Sequence, residues 1–125
     1  LGLAVRDAVA AASRWERNFG VKMSQVKEIS QSGTRHALIP LQNCYLEFMS
    51  PLREGELSRF LDLYGQGLYF LALKVQSLKT TRAFLKERGM PVGDVAQSAR
   101  GNTFAVPPSH THGVCLEIVQ PQTSD

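Results

Sequence analysis

The chain has 125 residues, of which 43% are hydrophobic and 20% charged, with two cysteines and a formal charge of +3. That length and apolar share suit one domain with its own core, and no apolar run approaches the ~20 residues of a membrane span. Lysine and arginine are scattered, without a basic run interleaved with aromatics, so neither membrane nor nucleic acid is an expected partner.

Leu1 to Val5 reads as a short apolar strand. Asp7 can cap a helix in which Ala8, Ala12, Trp15 and Phe19 recur at helical spacing, and Gly20 closes it. Val21 to Ile29 alternates loosely, Gln31-Ser32-Gly33 is a turn signal, and Thr34 to Pro40 reads as the next strand. Gln42-Asn43 turns the chain into a strand over Cys44 to Ser50. Leu57, Phe60, Leu61 and Tyr64 then predict a short connecting helix before Gly65-Gln66-Gly67, a hinge without the pattern of a phosphate loop. The second half repeats the order: strand from Leu71 to Val75, helix capped by Ser77, weak strand over Met90 to Gln97, turn at Ala99 to Asn102, strand over Thr103 to Val106, and a last strand after His112-Gly113.

The repeat has a fixed offset. Leu46-Glu47-Phe48-Met49-Ser50-Pro51 and Leu116-Glu117-Ile118-Val119-Gln120-Pro121 lie 70 residues apart, as do Leu1 and Leu71, and Val5 and Val75. Each half therefore reads strand, helix, strand, strand, strand. Alternation along a strand puts Glu47 on one face with Tyr45 and Met49, and Glu117 with Cys115 and Val119, where apolar residues belong. Burying a carboxylate is costly without a cation, donor or metal, so two acids at matched positions point to use. If the halves join about a pseudo-twofold axis, Glu47 and Glu117 face one another across a shared cavity as a metal or acid/base pair.

Other chemistry-bearing residues are less patterned. His36 lies on a strand and suits pocket lining or ordinary surface placement; His110 and His112 share an exposed polar loop. Arg35 and Arg100, each near a turn, suit either carboxylate or phosphate binding or plain solvation. Trp15, at helical spacing, belongs to the core. Cys44 and Cys115 lack metal-type spacing and fit reduced thiols in a cytoplasmic protein.

Leu1-Gly2-Leu3-Ala4-Val5, Asn18-Phe19-Gly20-Val21, Leu46-Glu47 to Pro51-Leu52, Gly65-Gln66-Gly67-Leu68 and His112 to Glu117, in this order and spacing, resemble the vicinal oxygen chelate superfamily. That superfamily includes glyoxalase I, methylmalonyl-CoA epimerase, extradiol dioxygenases and fosfomycin- and bleomycin-resistance proteins, and the resemblance is strongest to epimerase and glyoxalase-like members. It implies an α+β fold of two tandem βαβββ modules, at 1–52 and 67–121 around a connecting helix at 53–66, forming a cupped mixed sheet with helices outside. It also implies a homodimer and a divalent metal (Zn, Ni, Co, Mn or Fe) held by a first-strand and a fourth-strand ligand from each module.

Glu47 and Glu117 match the fourth-strand ligands. Where epimerases carry histidines after Gly67-Leu68, this chain has Tyr69 and Phe70; the equivalent of Phe70 in the first half falls just before Leu1, which opens the chain in place of Met. Gln31 lies near where the epimerases have a second carboxylate base, and an amide accepts no proton at neutral pH. Two functions follow from the resemblance. One is a metal-assisted isomerase, epimerase or lyase in which Glu47 and Glu117 hold the metal and move a proton next to a carbonyl. The other is a metal-free binding protein of the bleomycin-resistance type. In both, His36, Tyr45, Arg35 and Arg100 are expected to contact the small-molecule ligand.

Overall fold

The computed structural model describes residues 1–98 and 100–122, so Ala99 of the expected turn lies outside the described residues. The chain divides into two compact units, Leu1–Tyr69 and Phe70–Asp125. No helix among the described residues is long and apolar enough to cross a membrane.

The first unit contains β1 (Gly2–Ala4), α1 (Ala8–Phe19), β2 (Gln25–Ile29), β3 (Thr34–Pro40), β4 (Tyr45–Pro51) and α2 (Glu56–Tyr64). Its strands run in the order β2-β3-β4-β1, with β1 parallel to β4 and the other neighbours antiparallel. Asp7 starts α1 by accepting from the Ala10 N–H at 3.1 Å, and Gly20 ends it in the left-handed region at φ 70°. Small residues decide how closely the helix sits on the sheet: Ala8 and Ala12 are fully buried against Ala37, Ile39, Leu46 and Phe48. The Trp15 ring meets Phe48 edge-on at 5.6 Å, in the core as expected. These contacts use one face of β3 and β4. The other face carries Thr34, His36, Leu38, Glu47 and Met49, all also buried, with Leu38 and Gly2 flanking Glu47 in register.

The second unit is built from β5 (Gly67–Lys74, which carries the boundary), α3 (Leu78–Glu87), β6 (Ala96–Ser98), β7 (Gly101–Val106) and β8 (Leu116–Pro121), in the order β5-β8-β7-β6. The 70-residue offset reappears as matched hydrogen bonds. Val5 N–H donates to the Met49 carbonyl and Val75 N–H to the Val119 carbonyl, both at 2.8 Å. At the helix starts, Ala8 N–H donates to Ser50 Oγ at 3.0 Å and Leu78 N–H to Gln120 Oε1 at 2.7 Å. The residue three places after each acid thus satisfies an orphan donor at the first turn of its helix. Leu78, Phe104, Val106 and Ile118 form the core on the helix side, which leaves Glu117 on the opposite face of β8.

The weak strand over Met90 to Gln97 shrinks to Ala96–Ser98. Met90 and Val92 pack on the helix-side core, Pro91 has no N–H to give a ladder, and Gly93 bonds to β7 through a single N–H to the Ala105 carbonyl. Arg82 Nε holds the Gly93 carbonyl at 3.0 Å, so this segment is tied to a side chain where a strand would have a neighbour.

Candidate functional site

Each unit carries a polar centre around its fourth-strand acid. In the first, β3 and β4 are antiparallel neighbours with Leu38 opposite Glu47 and His36 opposite Met49, so the imidazole lies diagonal to the carboxylate on the same face. His36 Nδ1 meets Glu47 Oε1 at 2.7 Å, and the two residues are only 7% and 2% exposed. An ionised carboxylate only accepts, so in the neutral ring Nδ1 carries the proton and Nε2 is the acceptor. Nε2 lies 2.7 Å from Thr34 Oγ1, which lies 2.6 Å from Ser32 Oγ. The result is a continuous hydrogen-bonded row from exposed Ser32 to buried Glu47.

The row exists because of the β2 to β3 turn. Gly33 adopts φ 64°, a conformation that places Ser32 and Thr34 side by side, and a Cβ there would lie 2.5 Å from Arg53 Nη1. Arg53 in turn donates to the Gln31 carbonyl at 2.9 Å, strapping the turn from outside.

In the second unit the acid meets a different partner. Arg100 Nη2 donates to Glu117 Oε1 at 2.5 Å, and the guanidinium carbon lies 4.7 Å from the centre of the Phe70 ring. Both charged side chains are about four-fifths buried. Ser98 holds the turn before β7 by accepting from Arg100 N–H at 3.2 Å and donating to the Gly101 carbonyl at 3.0 Å. Gly101 is required because a Cβ would overlap the Gln120 carbonyl, and this close approach brings Arg100 against β8. Phe70 is buried and packs on the cation, whereas Tyr69, on the other strand face, packs edge-on against Phe60 of α2 at 4.9 Å.

The structure thus joins His36 to Glu47 and Arg100 to Glu117. Arg35 points to the face opposite His36 and forms an exposed ion pair with Glu28 at 2.6 Å. Tyr45, at the start of β4, is more than half exposed. His110 and His112 stay in the loop before β8, with His110 against Ser109 at 3.0 Å. Ser32, Thr34 and the stacking role of Phe70 were not anticipated. Thr34 and His36 are two apart on one strand and hence share a face, a signal available once His36 is paired with Glu47. Phe70 was noted for what it replaces, and its contact with Arg100 needs the turn geometry.

A divalent metal does not fit these donors. Among the described residues no group of three or more His, Cys, Asp or Glu side chains could hold a metal ion. Glu117 is in contact with a guanidinium, which would repel a second cation, and Phe70 offers no donor.

A strand-helix-strand-strand-strand unit made twice, with an acid on the fourth strand of each copy, defines a duplicated βαβββ protein. The chain belongs to the glyoxalase-like domain family, whose sequence profile matches residues 1–109. The match ends before β8, so it does not reach Glu117. The fold is that of solved methylmalonyl-CoA epimerases. The epimerase from Mycobacterium tuberculosis is 24% identical, with TM-score 0.90 over 98% of this chain and 85% of that one. A glutamate-to-glutamine variant of the Streptomyces coelicolor epimerase, in complex with 2-nitronate-propionyl-CoA, is 20% identical, with TM-score 0.91 over 98% and 94%. A hypothetical protein from Bacillus halodurans is 20% identical, with TM-score 0.93 over 99% and 93%. No curated protein matches the chain.

Proposed function

We propose that this glyoxalase-like domain binds a small organic acid or acyl compound without a divalent metal, Arg100 supplying the positive charge that meets a ligand oxygen. The observation that carries this reading is the Arg100 to Glu117 contact at 2.5 Å beneath Phe70. A guanidinium pinned by a carboxylate and an aromatic face is a fixed, permanently charged donor plane for carboxylate, enolate or carbonyl oxygens. The CoA compound bound to a structural relative makes methylmalonyl-CoA and methylmalonate the first probes. In calorimetry the wild type binds at least one of them, and Arg100→Gln weakens binding at least about tenfold. Dialysis against zinc, nickel, cobalt and manganese leaves less than stoichiometric metal. Stoichiometric metal that is lost in both Glu47→Gln and Glu117→Gln overturns this reading in favour of a metal-assisted isomerase or lyase. Failure of both probes to bind removes the acyl class.

The buried His36 and Glu47 pair favours a second reading, metal-independent proton transfer. A carboxylate held 2.7 Å from an imidazole can take a proton from a carbon beside a carbonyl while the ring stays oriented by its other nitrogen. Deuterium uptake at that carbon in D2O, lost in Glu47→Gln, selects the enzyme over the binding protein.

A further inference from the structure

The first-unit row does more than satisfy a buried histidine. Its members are spaced at 2.6, 2.7 and 2.7 Å, and it begins at an exposed hydroxyl and ends at a carboxylate that is 2% exposed. We infer that Ser32 and Thr34 are positioning residues that form a hydroxyl relay, setting the orientation of His36 and carrying protons between solvent and the His36 and Glu47 pair.

The relay is consistent in both directions. At rest, Ser32 donates to Thr34, Thr34 donates to His36 Nε2, and His36 Nδ1 donates to Glu47. Delivery of one solvent proton to Ser32 Oγ lets each hydroxyl pass its own proton onward, so that Nε2 gains a proton as Nδ1 gives one to Glu47. The carboxylate becomes a carboxylic acid, the imidazole stays neutral in its other tautomer, and both hydroxyls have reversed. In the reversed state Thr34 donates to Ser32, and Ser32 needs an acceptor. The Ile29 carbonyl lies 3.4 Å from Ser32 Oγ, in the turn itself. No oxidant or co-reactant is involved. Two charged groups of the first unit flank the row: Lys27, opposite His36 on β2 and exposed, and Arg53, which straps the turn through the Gln31 carbonyl.

This inference rests on the geometry of the pair and stands whichever ligand the domain takes. The test is the rate of interconversion between the Nδ1–H and Nε2–H tautomers of the His36 ring in the full chain, read by relaxation dispersion of the two ring nitrogens at fixed pH, with folding verified by the amide spectrum. In the wild type the resting ring is the Nδ1–H tautomer, and it interconverts with the Nε2–H form as protons enter and leave through Ser32. Thr34→Val, which keeps the shape and removes the hydroxyl, slows interconversion at least about tenfold and disturbs the resting tautomer. Thr34→Ser restores both, and Ser32→Ala, at an exposed position, slows interconversion without shifting the resting tautomer. Should Thr34→Val not fold, Ser32→Ala alone decides. Interconversion that is unchanged or faster in a folded Thr34→Val or in Ser32→Ala means that protons reach the pair by local opening, and overturns the relay. Such a result leaves the reading of Arg100 untouched, since that is judged by ligand and metal binding.

Discussion

The two halves solve the same problem, an acid on the inner strand of a βαβββ unit, with different chemistry. In the first, β3 supplies the partner from within the sheet: His36 sits diagonal to Glu47 and reaches it directly. In the second, the register position equivalent to His36 is Thr103, opposite Val119 and two residues from the neighbour of Glu117. A threonine is too short to span that diagonal. The turn before β7 supplies Arg100 instead, and Thr103 Oγ1 is left buried without a hydrogen-bond partner among the described residues. Matched backbones therefore do not imply matched sites. Duplication preserves the acid, and the neighbouring position decides whether its partner is an imidazole or a guanidinium.

Five substitutions sharpen this contrast. The largest effect falls on His36→Leu, which removes the donor at 2.7 Å from a buried carboxylate and the acceptor of Thr34, and costs about 3 kcal/mol in chemical denaturation. Adding Glu47→Leu recovers most of that loss, because an apolar pair of similar volume needs no compensation. Next comes one substitution made twice. Thr34→Val breaks a satisfied pair of hydrogen bonds and destabilises by about 1 kcal/mol, whereas Thr103→Val replaces an unsatisfied buried hydroxyl and is neutral or stabilising by up to about 1 kcal/mol. Equal losses at both positions would erase the distinction between the halves. The smallest effect belongs to Arg35→Ala, whose exposed pair with Glu28 lies on the other face; it changes stability by no more than about 0.5 kcal/mol and leaves ligand binding unaltered.

The fold was legible in the sequence because its signals are local and repeated. Asp7 and Ser77 cap the helices, Gly20 ends the first, and the acids recur at an offset that the matched bonds to Ser50 and Gln120 reproduce. The site was legible only as far as the acids. Which cation meets Glu117 depends on how the Ser98 to Gly101 turn folds back on β8, and no spacing encodes that. His36 was visible as a strand residue, yet its pairing needs the β3 to β4 register. Arg35 and Arg100 look alike in the sequence, each beside a turn; strand parity sends Arg35 to the Glu28 side, and a glycine with no room for a Cβ brings Arg100 to Glu117.

The parallel pairing of β1 with β4 has a consequence for how the chain acquires its structure. Gly2 lies beside Glu47 in register, so β1 finds its neighbour only once the chain has been synthesised through β4 and the long loop between the two strands has been drawn together. Docking of β1 gives Glu47 a strand on its second side, opposite Leu38 of β3. A chain in which β1 has yet to dock would hold three antiparallel strands, and the Glu47 N–H, which donates to the Leu1 carbonyl at 2.8 Å in the folded protein, would be left to solvent.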